Sequence, residues 1–462
     1  MNHNVLLLGL VVDLSVPWYH LHNFSIACLW QCYSFLLEKS SLSGSGGTMD
    51  VKRLQLWEGR HATMMSNDSL RVVVEDQGAM VLELSNLTAS GGRLNAHPLY
   101  WFRGKGATVG SDANASFYKE SQLLYQLGGN FLSFPNFGPP QSVKGVEHLA
   151  HGYTANNLWT IIKYGTDSEI GANWVLSQMR RSEEDYPFVA SKIDMMLPGH
   201  PVLYTSVTIT NEGSKPLAAN IGWHNTVGSP FLEEGCVISV AAEQFCTVPQ
   251  YSEFDQTGRL AMGIEFDDLK KAPLRKEGTC DLTVVPGLIG YTDFVTGVLP
   301  IDSKLGWSNV VNPRSKMMYF SFFTGAAAAE EKEIILHFNN LWMQYGGRNY
   351  TPWALYDGGT DNTFCLGMEN SLSHFADGLG ASMAHQQLMG SPTIEMISPA
   401  EPKVLRYGTA FFPYEQAKMG LGVDEVEQVV EGLVLKKGKA YAFIEADSTF
   451  HFLKVLEAKL LG

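Results

Sequence analysis

The chain has 462 residues and carries 33 Lys plus Arg against 47 Asp plus Glu, a formal balance of −14. No basic run exceeds the pairs Arg180-Arg181, Lys270-Lys271 and Lys436-Lys437, so the basic stripe that tracks phosphates is missing, which argues against nucleic acid and anionic membranes as partners. Hydrophobic residues at 45% supply a packed core, while charged residues at 17%, below the roughly 25% of an average chain, give way to Gly (45) and aromatics (11%), a composition that predicts an all-β protein.

Residues 1–48 differ in pattern from the rest of the chain. The apolar stretch 5–12 lacks a basic flank, and Asp13 and His20 interrupt any longer span, so it is too short to cross a bilayer. A second apolar patch, 26–37, runs into the Gly/Ser-rich linker 40–47. The segment reads as a non-domain extension, with a weak export signal as the functional alternative, and one β domain is expected over 49–462. Cys28, Cys32, Cys236, Cys246, Cys280 and Cys365 show neither disulfide-scaffold density nor paired metal-ligand spacing. They point to a reducing compartment, hence the cytoplasm.

From Met49 the pattern has period two. Residues 70–75 and 79–84 flank the turn Asp76-Gln77-Gly78 and predict a hairpin. Residues 204–210, 316–323, 334–338 and 405–412 also read as strands. Near the end, Val423, Val426, Val429, Val430 and Leu433 fall on one helical face and predict a helix. Many short strands between turn residues fit an antiparallel sandwich with a few short helices.

No phosphate-binding loop, dinucleotide fingerprint, HExxH helix or calcium loop is present. Three constellations remain. The first is the Gly/Pro-rich stretch 128–140, expected to form a rigid surface wall, followed by His151-Gly152-Tyr153 and then Asn157 and Trp159. The second is Trp223-His224-Asn225, expected at a strand end across a hairpin from the strand around Val207. The third is Gly367-Met368-Glu369-Asn370, where one carboxylate lies among apolar and small residues. Buried unpaired it is costly, so it has a partner or is poised for proton transfer. Each has a bland reading beside the functional one: a loop with a capping histidine, a satisfied structural histidine, a salt-bridged glutamate.

In their order along residues 60–413, these segments resemble the galactose mutarotase-like family, the aldose 1-epimerases and their relatives. The matches are the Gly/Pro-rich segment leading to His151-Gly152-Tyr153, the strand–turn–strand passage ending at His224, a Trp stretch at Trp342 or Trp353, Gly367-Met368-Glu369 with Asp377-Gly378 downstream, and Ser398-Pro399 leading into Leu405. The resemblance implies an antiparallel β-supersandwich holding a small-molecule sugar in a cleft on one sheet. It further implies Glu369 as general base, His224 as general acid and His151 as a hydrogen-bonding partner of the sugar. Trp159, Trp223 and Trp353 are candidate stacking platforms, and Asn157 is a candidate contact. Opening and reclosing an aldose ring needs one base and one acid and neither metal nor nucleotide, so no cofactor is expected.

The chain also departs from the pattern. Hexose-6-phosphate relatives place Arg shortly after the His-Gly-aromatic motif, where this chain has Thr154-Ala155-Asn156-Asn157; a phosphorylated substrate is less favoured, with Arg103 the compensating candidate cation. The substrate-gripping Asp has no clear match beyond Asp357 or Asp361. Extra length between 233 and 291 and after 414 could narrow the cleft or make a homodimer contact. The alternatives are a non-catalytic carbohydrate-binding protein and, less favoured, a hydrolase or lyase, which would need a second flanking carboxylate.

Overall fold

The computed structural model describes residues 50–56, 60–89, 92–97, 123, 128–252, 254, 255, 258–346 and 364–462. The expected extension, together with Arg103, Trp353, Asp357 and Asp361, lies outside the described residues.

Two large antiparallel sheets dominate. The first contains 12 strands among the described residues, in the order Asp50–Gln55, His61–Ser66, Leu70–Glu75, Val81–Asn86, Asn130–Ser133, Ile221–Gly228, Cys365–Leu372, Phe338–Tyr345, Tyr291–Val298, Gln244–Thr247 and Glu265–Phe266, with Leu94–Asn95 pairing onto Val81–Asn86. The second contains eight, in the order Val237–Val240, Leu305–Asn312, Met317–Thr324, Lys403–Pro413, Val202–Asn211, Phe188–Met196, Ala172–Arg181 and Thr160–Asp167.

Alternation along the strands decides what each face carries. Leu70, Val72 and Val74 point between the sheets, where they join Leu203, Val310, Tyr319, Phe411, Val227 and Leu366 in one core cluster. Val73 faces the other way, onto Ala62 and Met64. The eight-stranded sheet is apolar on both faces. Its outer face (Trp174, Tyr204, Phe320, Phe322, Phe412) is covered by Leu433, Leu435, Ile444, Phe450, Leu453 and Leu456 from the C-terminal region. Arg406, also on that outer face, reaches Glu333 at 2.6 Å and Glu457 of the terminal helix His451–Leu461 at 2.7 Å.

Four expectations need correction. The helix expected around Val423 to Leu433 is instead a hairpin, Glu425–Val429 with Gly432–Lys437, continued by Ala440–Glu445. The β-branched valines favour extended backbone, and the buried set Leu433, Leu435, Ala440, Ala442 and Ile444 recurs every second residue while Val430 is 97% exposed. A helix does follow, at His451–Leu461, and it buries Leu453 and Leu456. Residues 334–337 lie outside any strand although Ile334 and Leu336 are buried, and the strand begins at Phe338. The strands containing Val207 and His224 are not a hairpin, because they belong to different sheets. The chain crosses between them through Leu217–Ala219, which pairs with Glu395–Ile397. The Gly/Pro-rich stretch is in part a core strand, since Asn130–Ser133 is buried throughout.

Of the extra length, the tail after 414 backs the sheet distant from the site, whereas Cys246, Val248 and Phe254 pack into the apolar cluster around Trp342 and Phe131.

Candidate functional site

Register builds the site. Pairings Trp223↔Asn370 and Thr226↔Gly367 bracket His224 and Glu369 on adjacent strands, which places these two side chains opposite each other on one face. His224 Nε2 lies 2.9 Å from Glu369 Oε1. On the next strand Phe131 is in register with His224 and stacks on its imidazole at 4.6 Å between centroids. On the far side Asn340 is in register with Glu369. The cross-strand row therefore reads Phe131, His224, Glu369, Asn340, with Trp342 edge-on to His224 at 5.8 Å.

His151 arrives from outside the sheet. It precedes the five-residue helix Gly152–Asn156, and its backbone is left-handed, φ 53°, as is that of Gly152, φ 74°. A Cβ at Gly152 would come within 2.2 Å of the Phe134 carbonyl oxygen, so the second position of the His-Gly motif admits only glycine. This double turn brings the His151 ring edge-on to His224 at 5.1 Å, between Phe131 (6.0 Å) and Phe137 (5.5 Å). His151 Nδ1 is 3.3 Å from Ser133 Oγ. Phe137 itself fits because Gly222 below it has no side chain: a Cβ there would lie 2.2 Å from the ring.

The electrostatics follow from enclosure. His224 is 5% and Glu369 2% exposed. Thr226 Oγ1 lies 3.1 Å from His224 Nδ1, so both imidazole nitrogens have partners. Glu369 Oε2 is buried and has no hydrogen-bond partner among the described residues. Burial, reinforced by the neighbouring His224, holds His151 well below the ordinary histidine range, which keeps it neutral. The arrangement thus offers a carboxylate oxygen free to accept, an imidazole hydrogen-bonded to the same carboxylate, and a second, neutral imidazole above. Among the described residues no group of three His, Cys, Asp or Glu is placed to hold a metal ion, and no helix is long and apolar enough to cross a membrane.

The three residues proposed for chemistry thus meet, while Trp159 and Trp223, two of the tryptophans expected as platforms, do not join them. Trp223 alternates with His224 and points between the sheets, 1% exposed, stacked on Tyr407 at 4.9 Å. Trp159 is equally buried, and its indole N–H donates to Thr154 O at 2.9 Å. Both are core residues, because the face each occupies is enclosed by Phe134, Phe188, Val207 and Leu405. Asn157 closes the end of the helix opposite His151, where its N–H donates to Tyr153 O at 3.0 Å and its carbonyl accepts from Gly78 at 2.9 Å. Sequence reasoning did not single out Phe131 or Asn340 as site residues; the available signal was their spacing on strands flanking His224 and Glu369. Trp342, one of two tryptophans in the motif match, lies beside the site.

Enclosed imidazoles also set the acid response of the fold. His97 is fully buried, with Nδ1 2.8 Å from Thr226 O, and burial lowers it to about 4 from an ordinary 6.5. His148 is lowered to about 4 by burial and by Arg181. These histidines and His151 are neutral when folded and take up protons near 6.5 once unfolded. Stability is therefore at full strength above about 6.5 and falls as pH drops towards 4, by about 1.4 kcal/mol per pH unit for each fully enclosed imidazole. Urea midpoints measured from pH 7.5 to 4.5 are expected to decline steadily below 6.5, and less steeply in His97→Gln. A flat profile would contradict this.

Comparison with solved structures shows the same fold. A protein from Klebsiella pneumoniae subsp. pneumoniae described as a "putative aldose 1-epimerase" superposes with a TM-score of 0.59 at 12% identity, covering 83% of this chain and 88% of that one. A galactose mutarotase-like protein from Clostridium acetobutylicum gives 0.51 at 12% identity, covering 79% and 99%. No family model matches the sequence, and no curated protein does. The likeness is one of architecture: an antiparallel galactose mutarotase-like β-sandwich.

Proposed function

We propose that this mutarotase-like sandwich interconverts the anomers of a free or simply substituted aldose. The observation that carries the reading is the cross-strand pair of His224 and Glu369, 2.9 Å apart on one face, with the second carboxylate oxygen buried and without a hydrogen-bond partner among the described residues. Glu369 Oε2 accepts the proton of the anomeric hydroxyl. As the C1–O5 bond breaks, its electron pair stays on O5 and His224 Nε2–H, released from Oε1, protonates that oxygen. The C1–O1 bond becomes a carbonyl, the open-chain aldehyde rotates about C1–C2, and the reverse transfers reclose the ring on either face. Neutral His151 donates to or accepts from the sugar without competing for the proton. Phe131 and Trp342 supply the apolar surround that strengthens these interactions.

The test is the approach to optical equilibrium of fresh α-glucose and α-galactose, followed by polarimetry, with a wider aldose panel by NMR saturation transfer. Rates equal to buffer across the panel would reject the reading. The direct His224–Glu369 contact also suits a sugar-binding protein without turnover, because the would-be base is already satisfied at Oε1. Calorimetric sugar binding that persists in Glu369→Gln without catalysis in the parent would favour that alternative.

A further inference from the structure

Each residue of the site row has a neighbour that points the opposite way, and four of these neighbours are asparagines. Asn130 precedes Phe131, Asn225 follows His224, Asn370 follows Glu369, and Asn339 precedes Asn340. All four are 0–1% exposed, beneath the site and between the two sheets. Their amides form one directional chain. Asn130 Nδ2 donates to Asn225 Oδ1, and Asn225 Nδ2 donates to the Tyr407 hydroxyl. Tyr407 in turn donates to Asn370 Oδ1. Asn370 Nδ2 then donates to Asn339 Oδ1 at 2.5 Å, and Asn339 Nδ2 reaches the carbonyls of Ala241 at 2.9 Å and Trp307 at 3.2 Å.

Tyr407 is the only member of this chain drawn from the facing sheet's Lys403–Pro413 strand. Its ring is clamped between Trp223 at 4.9 Å and Phe323 at 5.8 Å, both stacked. Asn225 and Asn370 are not directly opposite, since Trp223 is the partner of Asn370. The hydroxyl therefore bridges a diagonal that strand pairing alone leaves open. Four buried amides are costly unless satisfied, and an apolar set would fill the same space, so a core that needed only stability has no use for them.

We propose that the asparagine chain and its Tyr407 hinge-pin are a positioning device: they hold the strands of Phe131, His224, Glu369 and Asn340 in one relative register and so set the separation of the His224 imidazole from the Glu369 carboxylate. Tyr407 and the asparagines are positioning residues, acting through the strands rather than on substrate. The kinetic consequence rests on the anomer-interconversion reading, but the structural one does not.

Tyr407→Phe removes one oxygen and keeps the ring. The comparison variant is Asn86→Ala, which deletes another buried tie between the sheets, Asn86 Nδ2 to Phe411 O at 3.0 Å, remote from the pair. The primary readout is the NMR signal of the His224 Nε2 proton in 15N-histidine-labelled protein, with thermal unfolding alongside. Tyr407→Phe is expected to move that signal and to speed its exchange with water roughly tenfold or more, while Asn86→Ala leaves it in place at a similar loss of melting temperature. In the kinetic arm kcat is expected to fall roughly tenfold or more with KM within about twofold, the pattern of misplaced groups rather than lost binding. An unchanged His224 signal in Tyr407→Phe overturns the proposal. Should that variant not accumulate folded, Asn339→Ser at the other end of the chain is read the same way. A wild-type protein without anomer interconversion refutes the functional reading alone, since the NMR arm is decided independently.

Discussion

Glu369→Gln is expected to slow anomer interconversion by about 10² to 10⁴-fold, the span that a positioned proton transfer commonly supplies, or about 2.7 to 5.4 kcal/mol of barrier. The amide preserves volume, and its oxygen can still accept from His224 Nε2, so the 2.9 Å cross-strand contact survives. What disappears is the acceptor at the other terminus: where Oε2 is buried without a hydrogen-bond partner among the described residues, the variant presents an N–H₂ group that cannot take a proton. The loss should fall on kcat, with sugar affinity little changed. Polarimetry at saturating sugar checks it, and a rate within a few-fold of the parent would remove Glu369 from the mechanism.

Truncation after Asp424 is expected to abolish the soluble folded protein. Leu433, Leu435, Ile444, Phe450, Leu453 and Leu456 are all buried against the outer face of the eight-stranded sheet. At about 1.5 to 3 kcal/mol for each buried large side chain, their loss amounts to about 9 to 18 kcal/mol as an upper bound, against a typical total stability of about 5 to 15 kcal/mol. The deletion also bares Trp174, Tyr204, Phe320, Phe322 and Phe412 as one apolar patch, the kind of surface that aggregates. Arg406 loses Glu457 and keeps Glu333. Circular dichroism and size-exclusion chromatography of the 1–424 fragment test this; a monodisperse fragment with the parental melting temperature would refute it.

The same residues show how far sequence reading carried. Period-two patterning is a local property, so the hairpin at 70–86 and the strands around Val207, Phe320 and Phe411 were visible in it. Where five apolar residues fall at helical spacing, as at Val423 to Leu433, the facing sheet decided the outcome, and nothing within that window encodes the sheet. Glu369, His224 and His151 were legible because a carboxylate and two imidazoles stand out in apolar and glycine-rich surroundings. Trp223 misled for a related reason: aromatic residues serve core and cleft equally, and only strand parity separates the two at that position. That parity puts Trp223 beneath the site and His224 in it. Phe131 and Asn340 gain their meaning from register with strands about 90 and 30 residues distant, which no short window contains.

The order of the central strands has a bearing on how the molecule is made. The His224 strand sits between Asn130–Ser133 and Cys365–Leu372, so His224 waits for Glu369 until nearly 150 further residues have left the ribosome. Such remote pairing is slow to nucleate. A growing chain halted before Cys365 would carry both imidazoles yet lack their carboxylate counterpart, so on the proposed chemistry synthesis itself would keep the protein inert until the sheet can close.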